Sequence, residues 1–297
     1  MDPLRRGPLI CYVTIVLMIT VILVIVGLCL GSFINALVWR LHSLASEKSK
    51  KKPNQRYLSQ LSVMRGRSMC PNCKHQLAAQ DLIPVVSWLV LKSRCRYCKK
   101  PISWQYPAVE LATAMLFIAS YVWWPATLSG AQISIFVLWL MLIVGFMALI
   151  VYDLRWLLLP NRIIYPLAVI AVIMAAIEVI TATGPAIALL NLLLAVLVGG
   201  GIFYVLFQIS AGKWIGGGDV KLGWLLGLVA GTPARSLLLI FSAAVLGSLF
   251  SVPLLATKRL KRTSTIPFGP FLILAVIIVQ LFGASIILWY RRTVLNL

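Results

Sequence analysis

The stretch Leu149-Ile150-Val151-Tyr152-Asp153-Leu154-Arg155-Trp156-Leu157-Leu158-Leu159-Pro160-Asn161 decides how this chain is read. An uncharged, mostly apolar run over about 132–152 ends on a carboxylate. A helix needs about 20 apolar residues to cross a hydrocarbon core of about 30 Å, so this run is long enough to be a span. A carboxylate near hydrocarbon costs roughly 2.5–3.5 kcal/mol at a helix centre and by default marks a functional site. The chain of 297 residues holds only seven Asp and Glu, so each one beside an apolar run is informative. Asp219 is the second of this kind: it follows Gly216-Gly217-Gly218 and opens another apolar run.

Working outward, apolar runs lie at about 9–39, 107–125, 132–152, 163–182, 186–209, 220–232, 235–256 and 268–290. With 61% hydrophobic and 11% charged residues, the composition is that of a polytopic membrane protein. The expected fold is all-α, with about eight transmembrane helices and a cytoplasmic zinc-binding loop domain. Its expected divisions are 1–41 as a first span, 42–106 as a basic linker and four-cysteine domain, and 107–297 as a transmembrane core. The first run is too long for a cleaved signal peptide and reads as a retained span. Trp39, Trp123, Trp124, Tyr152, Trp156, Trp214 and Tyr290 lie near run ends, as interfacial anchors do. Residues 43–68 read as a flexible polar linker, and no internal repeat is visible.

The net charge of +20 is concentrated: fourteen of the 27 Lys and Arg lie between Arg40 and Lys100. No nucleic-acid-binding module accompanies them, so nucleic acid is not an expected partner. Eight spans place 40–106, 153–162, 210–221 and 257–267 on one side, with 22 Lys and Arg. The other side has five: Arg5, Arg6, Arg235, Arg291 and Arg292. The positive-inside rule then puts the 22 in the cytoplasm, against anionic lipid, and both termini outside. It also puts Asp153 and Asp219 together at the cytoplasmic membrane surface.

Cys70-Pro71-Asn72-Cys73 and Cys95-Arg96-Tyr97-Cys98 form a C-x2-C…C-x2-C array. Two such turns offer four thiolates tetrahedrally, which suits zinc in a closed, structural site. A reducing compartment disfavours disulfides. Free or redox-active thiols are the other reading. Lys74, Lys92, Arg94, Arg96, Lys99 and Lys100 surround the pairs and are expected to lower the thiol pKa values. Either His42 or His75 could replace a cysteine, while Cys11 and Cys29 read as small apolar side chains within the first span.

Each acid also has a plainer reading. Asp153 could pair with Arg155 or Arg162. Asp219 could be the N-cap of a short helix, with its glycines allowing close backbone approach or positive φ. Glu110 could pair with a loop Lys or Arg, and Glu178 reads as interfacial and structural at the other face. Asn35 is expected to make an interhelical hydrogen bond. Pro267-Phe268-Gly269-Pro270 is either a helix entry or part of a substrate groove.

Several short motifs in order give the chain a resemblance to the bacterial type IV prepilin peptidases, membrane aspartic proteases with a Gly-x-Gly-Asp signature. They begin with Gly31-Ser32-Phe33-Ile34-Asn35 and Arg40-Leu41. The cysteine pairs follow, with Ile83-Pro84 and Ser87-Trp88 between them, and then Tyr106-Pro107 and Glu110-Leu111. Asp153 with Leu159-Pro160, Gly216-Gly217-Gly218-Asp219-Val220-Lys221-Leu222 and Ile266-Pro267-Phe268-Gly269-Pro270 complete the set. The resemblance implies catalytic roles for Asp153 and Asp219, with Gly216, Gly218 and Lys221 supporting their loop. It implies prepilin or pseudopilin substrates that lose a basic leader at the cytoplasmic face of the inner membrane. It also implies methylation of the new N-terminus by S-adenosylmethionine, with Glu110 near the methyl donor or the amine. Asn161 stands where the family often has Asp, leaving Asp153 the only carboxylate there. Ser93 stands where it commonly has Gly, and Gln105 where it commonly has Arg; both fall in the part associated with methylation. A leader peptidase without methyl transfer is therefore the alternative. A zinc-bearing transporter or scaffold, with the aspartates as ion or proton ligands, is a further one.

Overall fold

The computed structural model of the chain describes residues 6–52, 54–62, 66–257 and 266–295, without the side chains of 6–12 and 56. Lys258, Arg259, Lys261 and Arg262, and 53 and 63–65 of the linker, lie outside the described residues, as does the Cys11 side chain. The helices in chain order are α1 (Arg6–Lys48), α2 (Gln55–Gln60), α3 (Val86–Val90), α4 (Gln105–Val122) and α5 (Ala131–Trp156). Then come α6 (Asn161–Thr181), α7 (Pro185–Ile209), α8 (Gly217–Ala230), α9 (Pro233–Ala256) and α10 (Gly269–Thr293). The protein is all-α; two isolated β-bridges beside the cysteine pairs are the exceptions among the described residues.

Six helices, α1, α5, α6, α7, α9 and α10, are long and apolar enough to cross a membrane. The other two expected spans are also helical, α4 with 18 residues and α8 with 14. At 1.5 Å per residue α8 rises only about 21 Å. Its ends are set by glycine: Gly216 caps the start, and Gly231 ends it in the left-handed region at φ 70°.

The chain divides into two compact units, Met1–Val122 and Trp123–Leu297. In the first, α1 and α4 meet along a seam of small residues. A Cβ on Gly27 would come within 2.6 Å of the Ala114 Cα, and one on Gly31 within 2.5 Å of the Glu110 Cα. In lipid there is no hydrophobic force between helices, so such backbone approach supplies the packing. Asn35, two turns past Gly27 on the same stripe, donates to the Tyr106 carbonyl at 3.1 Å and accepts from Gln105 at 3.2 Å. This is the expected interhelical bond.

The second unit is a bundle centred on α5 and α10. Trp139, Leu142, Ile143 and Phe146 of α5 and Leu272, Ile273, Val276 and Val279 of α10 have no exposed surface. Helix α5 stops four residues before Pro160. Leu157 takes the left-handed conformation at φ 53° and donates its N–H to the Asp153 carbonyl at 2.8 Å. Pro160 then caps α6, which leads with α7 back to the start of α8. Helices α7 and α8 touch backbone to backbone: a Cβ on Gly223 would meet the Gly199 carbonyl at 2.7 Å, and one on Gly227 the Val196 Cα at 2.8 Å.

Candidate active site and cysteine cluster

Asp153 occupies the last turn of α5 and is 5% exposed. It makes no ion pair with Arg155 or Arg162; Arg155 lies over the Trp156 ring instead, 5.6 Å from its centroid. Asp219 occupies the first turn of α8 and is partly exposed. It is not the N-cap, which is Gly216. As the third helical residue it faces back toward the Gly216 amide, the carboxylate half of a capping box. None of Gly216, Gly217 and Gly218 has positive φ. Their use is close approach, and it is confined to Gly218, where a Cβ would meet Leu159 at 3.1 Å.

The structure brings the two aspartates together, close enough for the charge of Asp219 to act on Asp153. The Gly269 amide at the start of α10 faces Asp153. A Cβ on Gly269 would come within 2.6 Å of Asp153 Oδ2 and 3.5 Å of Leu159. Leu159 is thus wedged between Gly218 and Gly269, holding the end of α5, the start of α8 and the start of α10 in one place. Lys221 donates to Asn161 at 3.0 Å, tying α8 to the first residue of α6. Two close carboxylates do not both ionise cheaply, so such a pair shares one proton and can act as base and acid together. Sequence reasoning took Gly269 as a helix entry or groove residue and missed its contact with Asp153. The available signal was a lone glycine between Phe268 and Pro270 at the head of an apolar run.

Glu178 lies at the opposite end of α8, where its carboxylate would meet a Cβ on Gly231 at 3.6 Å and feels the charge of Arg235. It takes no part in the Asp153–Asp219 pair.

In the first unit, Glu110 is 5% exposed and is not paired with a loop cation. Its carboxylate accepts from the Val85 amide at 2.7 Å and from the Ser32 hydroxyl. Val85 has φ 60° and ψ −50°, and the Val86 amide bonds back to the Pro84 carbonyl at 2.5 Å. This is the strained form of the γ-turn, on a β-branched residue, and it costs about 1–3 kcal/mol. Glu110 pins it.

Cys70, Cys73, Cys95 and Cys98 converge, with all four sulfurs within 4.8 Å of one another and Cys70 and Cys98 at 3.9 Å. Zn–S bonds of about 2.3 Å in a tetrahedron require sulfurs roughly 3.8 Å apart, so the donor set fits zinc. The two turns are copies. Cys70 N–H bonds to the His75 carbonyl and Lys74 N–H to that of Cys70; Cys95 with Lys100, and Lys99 with Cys95, repeat the pattern. Lys74 and Lys99 share φ 58°, and the bridges Met69–Gln76 and Arg94–Pro101 correspond. A repeat thus exists at the scale of a single turn. The leading influences on the thiols are burial and hydrogen bonds. Burial pushes Cys70 up to about 12. Burial works the same way on Cys95, but hydrogen bonds from the Cys98 and Tyr97 amides and from the Cys70 and Cys98 side chains outweigh it and bring the thiol to about 7. His75 stands outside the four donors, stacked on Tyr97 with centroids 3.7 Å apart. Asp81 receives Arg96 at 2.8 Å and Tyr97 at 3.2 Å. Burial would raise its carboxyl, yet bonds from Arg96, Ala78 and Tyr97 hold it below the usual range.

The fold and site define a class: polytopic helical membrane proteins carrying an acidic pair at one end of a helix bundle and a four-thiol cluster. Residues 25–124 match the Bacterial Peptidase A24 N-terminal domain, and residues 140–252 match the Type IV leader peptidase family. The chain belongs to the prepilin leader peptidase/N-methyltransferase family. It is 30% identical to the "Prepilin leader peptidase/N-methyltransferase" of Aeromonas salmonicida (strain A449), covering 91% of this chain and 92% of that one. It is 32% identical to the protein of the same name from Bacillus subtilis (strain 168), over 80% and 90%. It is 34% identical to a "Type 4 prepilin-like proteins leader peptide-processing enzyme" of Escherichia coli O78:H11, over 83% and 87%. No solved structure matches the chain.

Proposed function

We propose that this protein is a membrane aspartic endopeptidase that removes the basic leader from type IV prepilins or pseudopilins and then methylates the new N-terminus. The observation that carries the reading is the convergence of Asp153 and Asp219 from separate helices, with no counter-cation paired to Asp153. One ionised aspartate takes a proton from water, and its protonated partner hydrogen-bonds the scissile carbonyl and stabilises the developing oxyanion. Gly216, Gly218 and Lys221 support this by fixing the loop that presents Asp219.

The methyl transfer belongs to the first unit in this proposal. Glu110 lies in that unit, whereas the aspartates lie in the second. The methyl donor is S-adenosylmethionine, and Glu110 serves the donor or the amine, directly or through the turn it holds. The four cysteines hold a structural zinc, which with four protein ligands supplies folding energy and no open position for chemistry. The enzyme lies in the inner membrane, with the cysteine cluster and both aspartates at the cytoplasmic side and both termini outside. Its partners are the prepilin substrate and membrane lipid, not nucleic acid.

Incubating the purified protein with a cognate prepilin and weighing the product tests the whole proposal. Leader loss with a gain of about one methylene is the expected result, from the chemistry of single methyl transfer. An intact leader overturns it. Leader loss without the methylene leaves a peptidase alone, a reading favoured by Gln105, whose amide is committed to Asn35.

A further inference from the structure

We propose that residues 82–91 form a monotopic insertion loop that enters the lipid bilayer and seats the cysteine domain on the membrane surface. The stretch Leu82-Ile83-Pro84-Val85-Val86-Ser87-Trp88-Leu89-Val90-Leu91 has no charged residue. Ten such residues are too few to span and suit an interfacial or re-entrant segment. In the structure they form a 3-10 turn, the γ-turn at Val85 and the single turn of α3. Their large side chains point outward: Leu82, Ile83, Val86, Leu89 and Val90 are all exposed, Val90 at 71%, and Trp104 nearby is 73% exposed. In a water-facing domain this patch would be a liability.

Three observations name lipid as the occupant. The first is depth. Val85 bonds to Glu110, whose backbone is in contact distance of Gly31. Gly31 lies nine residues before Arg40, the first charged residue of α1 after the span begins. At 1.5 Å per residue that places the turn roughly 13 Å inside the charged border of α1. That is deeper than the roughly 5–10 Å of an interfacial helix and short of the midplane of a core about 30 Å thick, a depth that suits a re-entrant turn. The second is charge. Lys92, Arg94, Lys99 and Lys100 follow at once, all exposed, and are placed to meet anionic headgroups. The third is continuity. Trp104 leads directly into α4, and Trp88 donates to the Ile102 carbonyl at 3.2 Å, so the loop is anchored to the chain that enters the membrane there. The strained turn at Val85 is what reverses the chain at this depth, and a buried carboxylate accepting its amide spares that N–H from hydrocarbon.

The test uses the wild-type chain in vesicles containing anionic lipid, photolabelled by a carbene-generating reagent confined to the acyl region. Mass spectrometry then locates the adducts. Adducts on 82–90 comparable with those on the exposed face of α6, such as Val169, and at least several-fold above those on 94–100, are expected. Adducts on 82–90 no more frequent than on 94–100 overturn the proposal. Loss of the 82–90 adducts on adding a saturating peptide with a basic leader and an apolar helix assigns the face to substrate instead, and overturns it equally. Neither result bears on whether the protein cleaves or methylates.

Discussion

The Gly269 amide faces the carboxylate of Asp153, and the same glycine leaves no room for a side chain: a Cβ would sit 2.6 Å from Oδ2. Pro270, which follows, has no N–H to offer, so Gly269 presents the first donor of α10 at that carboxylate. The contact joins the last turn of one central helix to the first turn of the other. It accounts for a glycine in a helical first turn, where it otherwise weakens the helix.

Gly269→Ala is therefore expected to displace Asp153 and reduce cleavage by about 100-fold, the cost of misplacing a catalytic group by roughly 1 Å. Gly218→Ala, pressed on Leu159, is expected to lose activity by a larger factor than Gly217→Ala, whose Cβ would stand 3.8 Å from Phe207. Initial rates on a prepilin peptide measure both. Equal rates for the two alanine variants at 217 and 218 would remove Leu159 from its role as a wedge.

Asp153→Asn and Asp219→Asn should each abolish cleavage without loss of folded protein, because each removes half of a unit that acts jointly. Asp81→Asn and Glu178→Gln should cleave normally, since both carboxylates lie elsewhere in the structure. Near-normal cleavage by either variant of the pair would end the assignment.

The purified protein should carry one zinc per chain by elemental analysis. Replacing Cys70 and Cys73 together by Ser should release it and loosen the two turns, while cleavage survives because the aspartates belong to the other unit. Metal-free protein from a fresh preparation would refute the zinc reading.

Glu110→Gln should impair methylation more than cleavage. The amide retains an oxygen for the Val85 N–H but loses the charge, so the turn is weakened rather than lost. The mature pilin would then lack its leader and also lack the added methylene. Fully methylated pilin from this variant would remove Glu110 from the methyl-transfer step.

Ser93 takes φ 55° directly after Lys92 at φ 49°. A side chain in this region costs about 1–2 kcal/mol that glycine does not. Ser93→Gly should stabilise the second cysteine turn, by somewhat less because glycine also loosens the unfolded chain. Slower hydrogen exchange at the Cys95 and Ile102 amides is the expected readout; unchanged or faster exchange would show the strain to be absent.

The spans and the cysteine turns were legible in the sequence because each is a local signal, one of hydropathy and one of spacing. The approach of Asp219 to Asp153 was legible through chain order, since two long helices, α6 and α7, lie between them and bring the chain back to the same end of the bundle. What was not legible depends on a neighbour. Gly27 and Gly31 look neutral in an apolar run until Ala114 and Glu110 are set opposite them. Glu110 reads as half of a salt bridge until Val85 is seen to reverse in front of it. Lys221 reads as a support of the glycine loop with no partner named until Asn161 is placed 3.0 Å away. Burial and the backbone amides that act on the thiols of Cys70 and Cys95 are likewise not written in composition.

Asp219, Gly223 and Gly227 fall at every fourth position of α8 and so share one stripe of its surface. Gly227 bears on the backbone of α7 alone, and Gly223 on the Gly199 carbonyl and the Phe203 ring. A joint made mostly of backbone has little rotameric slack, so it acts as a keyway does on a shaft and fixes the azimuth of the helix. The direction in which Asp219 points is thereby set one and two turns away from it. Selection at these three positions would then be inseparable: a substitution that thickens the joint would be scored as a loss of chemistry, although it touches neither carboxylate.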